Sequence, residues 1–109
     1  MDSAADLNLP EKIKKRLEQA VKTIRSLVPH AEILLFGSLA QGDWLEESDI
    51  DLIIISDNFK ETNYITRVYT LKKGLTRIHI IPLTKKEFEE RRRGSVIIEE
   101  ALTHAIKIT

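Results

Sequence analysis

Apolar residues recur at spacings of three and four from Leu9 to Val28, through Ile13, Leu17, Ala20, Val21, Ile24 and Leu27. That spacing draws one apolar stripe along a helix over residues 9 to 28. Asn8 is placed to cap it, Pro10 suits its first turn, and Pro29 stops it. Lys12, Lys15, Arg16, Lys22 and Arg25 fall on the opposite side, as on any solvated helix face. The short apolar run 32 to 36 ends at Gly37, which reads as a buried strand and a break. Residues 49 to 55, DIDLIII, are rich in β-branched side chains and predict a central strand. A weaker helical pattern follows over 60 to 73, closed by Gly74. Residues 76 to 82 predict a third strand with Pro82 at its end. Thr84 followed by Glu87 is a capping-box pattern, opening a charged helix over 84 to 93. A further helix over 95 to 104 and a short strand near 106 to 108 complete the chain. Strands interleaved with helices predict one α/β (α+β) domain over residues 1–109, a small mixed β-sheet flanked by helices.

Composition narrows the classes of function. With 109 residues there is room for one domain. Lys plus Arg and Asp plus Glu both number 17, so bulk charge argues against a nucleic-acid partner. The absence of cysteine excludes disulfides and thiolate metal sites. No apolar run is long enough to span a membrane, and the first residues lack a secretory pattern. The expected location is the cytoplasm.

The chemistry concentrates between Leu34 and Ile55. Gly37 permits a tight turn and close approach of a ligand to the backbone. A short helix beginning at Ser38 would aim free N–H groups at the same place, and the Ser38 hydroxyl could join them on a phosphate. Ten residues later Asp49 and Asp51 sit two apart at the start of the next strand. Alternate strand residues share a face, so both carboxylates project together. Two such charges side by side call for a cation, and Mg²⁺ is a hard ion held by carboxylates and substrate phosphates. The turn would hold phosphates, and the metal would sit between them and the carboxylates.

This stretch resembles the signature of the DNA polymerase β-like nucleotidyltransferase superfamily: Gly-Ser, about ten residues, then Asp-x-Asp and apolar residues. Phe36 before the glycine, Ala40 and Gly42 after it, and Ser48 before the first aspartate match as well. The short chain resembles the minimal nucleotidyltransferases, which contain only the catalytic core. The resemblance implies a polymerase β palm-like fold and a nucleoside triphosphate, ATP, as substrate. It implies Mg²⁺ or Mn²⁺, with up to two ions, on Asp49 and Asp51. It also implies transfer of AMP to an acceptor, a HEPN-type toxin partner, with the chain acting as antitoxin.

In that family a third carboxylate comes from a later strand. Here the corresponding position holds His79, which shares a face with Arg77 and Ile81 on strand alternation. Asp57 lies roughly 20 Å along the strand from Asp51, too far to substitute. Three readings stay open. His79 acts as a weak ligand or base, with imidazole favouring Mn²⁺, Zn²⁺ or Ni²⁺ over Mg²⁺. Or the site binds nucleotide and metal with little turnover, and the chain neutralises its partner by contact. Or the family register sits a residue or more from this one. Arg91, Arg92 and Arg93 interleave with Glu87, Glu89 and Glu90 and read as a solvated face. Trp44 reads as core packing in a polar loop, and His30 and His104 lack metal-ligand spacing.

Overall fold

The computed structural model describes residues 9–45 and 47–108. Helix α1 (Glu11–Leu27) is followed by strand β1 (Glu32–Phe36), one turn of helix α2 (Ser38–Gln41) and strand β2 (Ile50–Ile55). A 3-10 turn (Asp57–Phe59), helix α3 (Tyr64–Lys72) and strand β3 (Ile78–Leu83) come next. Helices α4 (Lys85–Gly94) and α5 (Val96–Thr103) lead to the short strand β4 (Ile106–Lys107). The four strands form one sheet in the order β3-β2-β1-β4. β1 runs antiparallel to both β2 and β4, while β2 and β3 are parallel. The sheet is therefore mixed, and the expected α+β class holds.

Strand alternation divides the core in two. Ile33, Leu35, Ile50, Leu52, Ile54, Ile78 and Ile80 face α1 and the Phe59–Leu71 side of the crossover to β3. Leu34, Phe36, Ile53, Ile55, Ile81 and Leu83 face the other way, with Phe88 of α4 and Leu102 of α5. Asp51 and His79 share parity with this second set. The helices cover that face near Leu83, leaving the Asp51 end half-open.

On α1 the predicted stripe is buried at Ile13, Leu17, Ala20, Val21 and Ile24, with Val28 just beyond the helix. Leu27 departs from it and is 49% exposed, because the helix ends there and the chain turns toward Pro29. Pro10 occupies the N-cap without a side-chain cap bond, and Asn8 lies outside the described residues. Two of the five basic residues are structural: Arg16 donates to the Arg77 carbonyl at 3.0 Å and Arg25 to that of Ile108 at 2.8 Å.

Pro82 lies inside β3, opposite Ile54, rather than at its end. β3 is an edge strand, where a residue without an N–H is tolerated. The segment expected to be helical from residue 60 starts at Tyr64, because the chain first makes a 3-10 turn and then uses Asn63 as a cap accepting from Thr66 N. The capping box of α4 forms as predicted, with Thr84 and Glu87 bonding each other's backbone.

Arg67 ties this end of the molecule together. It is 6% exposed, and its guanidinium donates to the carbonyls of Phe59 (2.8 Å), Thr62 (2.7 Å) and Pro82 (3.2 Å) and to Glu87 Oε1 (2.6 Å). It also lies 5.5 Å from the centre of the Phe59 ring. One cation thus satisfies acceptors from the 3-10 turn, its flanking loop, β3 and α4. Replacing it by Met strands those acceptors, which should cost about 3 kcal/mol or more. Arg67→Lys should recover only part, because an ammonium cannot reproduce the planar fork. Denaturant unfolding of both variants measures this; a loss under about 1 kcal/mol for Arg67→Met contradicts it.

Candidate functional site

β1 delivers the chain to Gly37, whose φ of 74° lies in the left-handed region. The amides of Ala40 and Gln41 turn back to the Gly37 carbonyl, and Gly42 closes the turn on the Ser38 carbonyl at 3.0 Å. Gly42 sits in the left-handed conformation that ends such a turn. The first amides of a helix have no partner within it, which leaves those of Ser38 and Leu39 outside the turn's own hydrogen bonds. Ser38 is half-buried there.

Asp51 meets this turn directly. A Cβ at Gly37 would overlap Asp51 Oδ2 and stand 3.1 Å from its Cγ. Only a residue without a side chain lets the carboxylate rest against the backbone here. Across the sheet, Asp51 is paired with Phe36 on one side and His79 on the other. The His79 Nδ1 lies 3.4 Å from Asp51 Oδ1, long for a hydrogen bond but within electrostatic contact. The Phe36 and His79 rings are 6.5 Å apart and tilted by 55°. His79 therefore points toward Asp51, with its side chain still 63% exposed.

Asp49 precedes the strand rather than opening it, since β2 begins at Ile50. It is exposed, whereas Asp51 is half-buried. Burial is the main cause that lifts Asp51 above the ordinary aspartate pKa of 3.8; His79 opposes the shift, and the charge of Asp49 adds to it. The two aspartates are thus close enough to feel each other. Asp57 is not part of this group: it accepts from the Lys85 amide at 3.1 Å and pairs with Lys60.

The loop carrying Asp49 is anchored by a residue without a sequence signal. Arg77, which precedes β3, adopts a φ of 56°, uncommon for a side chain of its size. Its carbonyl accepts from the Ile50 amide and from Arg16, and its guanidinium donates to the Glu47 carbonyl. The Ser48 hydroxyl oxygen accepts from the Leu45 amide at 2.8 Å. Trp44 packs against the main core, so its role is structural. Arg92 pairs with Glu89, and Arg91 lies over the Tyr64 ring, in keeping with a solvated outer face on α4.

Among the described residues, no three His, Asp or Glu side chains are already gathered as a metal cluster. The donor set nevertheless suits one hard divalent cation. Asp49 and Asp51 offer hard carboxylate oxygens of the kind such an ion takes beside phosphates, and burial destabilises Asp51 as an anion.

The family model for the nucleotidyltransferase domain matches residues 14–108. The chain belongs to that family. A solved structure of a "putative nucleotidyltransferase" from Sulfolobus solfataricus superimposes with a TM-score of 0.60 at 29% identity, covering 83% of this chain and 81% of that one. A second structure described in the same words gives 0.55 at 31% identity, covering 71% and 87%. A stretch of 26 residues is 62% identical to a Methanocaldococcus jannaschii protein named "putative protein adenylyltransferase". The stretch spans 24% of this chain and 26% of that relative. None of the described helices is long and apolar enough to cross a membrane.

Two outcomes follow from this geometry. Gly37→Ala should destabilise the protein by about 2 kcal/mol or more, through the left-handed backbone and the displaced Asp51 carboxylate. Thermal or denaturant unfolding within about 0.5 kcal/mol of wild type would contradict the close approach. Second, a carboxyl whose folded pKa is raised is held protonated longer in the folded state. It therefore subtracts stability as pH rises above 3.8. In metal-free buffer, Asp51→Asn should be more stable than wild type at neutral pH, and the gap should close on acidification toward the carboxylate range. A gap that is constant with pH, or of opposite sign, rejects this.

Proposed function

We propose that the protein is a divalent-metal-dependent nucleotidyltransferase that takes ATP and transfers AMP to a protein acceptor, an acceptor nucleophile bonding to the α-phosphorus as the bond to the β-phosphate breaks and pyrophosphate leaves. The observation that carries this reading is the close approach of the Asp51 carboxylate to the side-chain-free Gly37, at the turn that opens α2. Phosphates and carboxylates brought so close need a cation between them. Asp49 and Asp51 would hold it. When bound, it would offset charge on the phosphates as the nucleotidyl group moves. Gly37 and Ser38 would hold phosphate oxygens and orient the α-phosphorus. The name of the Methanocaldococcus relative supports ATP as donor and a protein as acceptor. The resemblance of the signature makes a HEPN-type partner the first acceptor to try.

One observation favours a second reading. His79 lies in register with Asp51, where the family resemblance expects a third carboxylate. A neutral or cationic ring there offers a weaker ligand for Mg²⁺ than a carboxylate does. In this reading the chain binds nucleotide and metal with little turnover and neutralises its partner by contact, as an antitoxin.

The test is transfer of label from α-labelled ATP to the candidate acceptor with Mg²⁺ or Mn²⁺. Wild type, Asp51→Asn and His79→Asp are run in parallel. The enzyme reading predicts label from wild type and a drop of at least about a hundredfold with Asp51→Asn. Label from His79→Asp alone would favour the binding reading. Label retained by Asp51→Asn would remove Asp51 from the chemistry.

A further inference from the structure

The α3 helix leaves an apolar stripe in solvent. Ile65 is 81% exposed, Tyr69 71% and Tyr64 37%. With Val68 they line an open groove of about 570 Å³, bounded by Lys72 and Lys73. The opposite side of the helix is fully used, with Arg67 and Leu71 buried. Isolated exposed apolar residues are common, but a contiguous stripe of aromatic and branched side chains on one short helix marks a contact surface.

The charges at its ends are complementary to each other. Glu61 stands in the turn before α3, and Lys72 and Lys73 stand at its C-terminus. Among the described residues none of the three is in an ion pair. Lys60, next to Glu61, is paired with Asp57, so Glu61 leaves the N-terminal end net negative, and a negative N-terminal end with a basic C-terminal end lets a helix meet its own copy head to tail. Parallel pairing would set like charges together.

We propose that this face binds the same face of a second copy of the chain, the two α3 helices packing antiparallel about a two-fold axis level with residue 67. In such an interface each contact occurs twice, residue i against j and j against i. Ile65 then lies level with Tyr69 of the second copy, and Glu61 level with its Lys73. An unrelated partner would have to supply this pattern separately, whereas the helix already matches itself. A nine-residue helix is only about 14 Å long. One such contact buries less than the ~800 Å² per partner of a standard interface, so the dimer is reversible and depends on concentration. α3 covers the sheet face opposite Asp51, so pairing there leaves the carboxylates accessible.

Sedimentation equilibrium from about 10 μM to 1 mM, at low and high salt, tests this. Wild type should show a monomer–dimer equilibrium that weakens with salt. Ile65→Lys should weaken it at least about tenfold, as a buried apolar contact is replaced by a charge. Lys73→Glu and Glu61→Lys should each weaken it, and the double exchange should restore it. Circular dichroism confirms that each variant is folded. A wild type that stays monomeric throughout overturns the proposal. So does a dimer indifferent to Ile65→Lys, which would use another face, or a charge exchange that fails to restore association.

Discussion

The close contact between a carboxylate and a turn without a side chain governs this structure. Asp51 stands in the strand that pairs with both neighbours, and its Oδ2 occupies the space a Gly37 side chain would take. The contact requires β1 to end at Phe36, opposite Asp51, so that the next residue turns under the carboxylate. It requires a left-handed glycine at that turn, so that α2 begins at the next residue. It also places the partly desolvated anion beside Asp49, a combination that is unfavourable until something positive arrives. The rest of the fold supplies the rigidity to hold that arrangement.

That rigidity comes from both ends of the sheet. At the site end, Arg77 uses its carbonyl on Ile50 and its guanidinium on Glu47, so the loop bearing Asp49 is fixed to the start of β3. Arg16 reaches from α1 to the same carbonyl. At the far end, Arg67 joins the crossover, β3 and α4, and draws Glu87 below the usual carboxylate range through its hydrogen bond. Between the two ends lie the apolar strands, buried on both faces along most of β2. The divided core explains why a single strand can carry a deep apolar run and still present one carboxylate: only the end of the second face is uncovered.

Much of this was legible in the residues. Periodicity located α1 and the strands, because α1 is strongly amphipathic and the strands are dense in β-branched residues, but it gave no sign of the 3-10 turn at Asp57–Phe59 that delays α3 to Tyr64. The capping box of α4 was readable from Thr84 and Glu87 alone. The Gly-Ser turn and the Asp-x-Asp pair were visible as a spacing, and strand alternation put His79 on one face with Ile81, while its place beside Asp51 comes from the β2–β3 register. What escaped were features that depend on tertiary partners. A buried arginine in a helix looks like any exposed one, so Arg67 gave no signal. The left-handed Arg77 was hidden because that conformation is usually marked by glycine. Pro82 marked an expected strand end, but an edge position let β3 continue past it. Leu27 and Tyr69 fit apolar spacing yet face solvent, since periodicity does not reveal where a neighbouring element stops.

The proposed function places nucleotide and metal together on Asp49, Asp51 and the Gly37–Ser38 turn. The most direct measurement is a crystal structure with Mn²⁺ and a non-hydrolysable ATP analogue, using the anomalous signal to locate the metal. An anomalous peak beside the Asp49 and Asp51 carboxylates is expected, with the nucleotide phosphates at the Gly37–Ser38 turn. Nucleotide bound elsewhere, or manganese away from both aspartates, would contradict it.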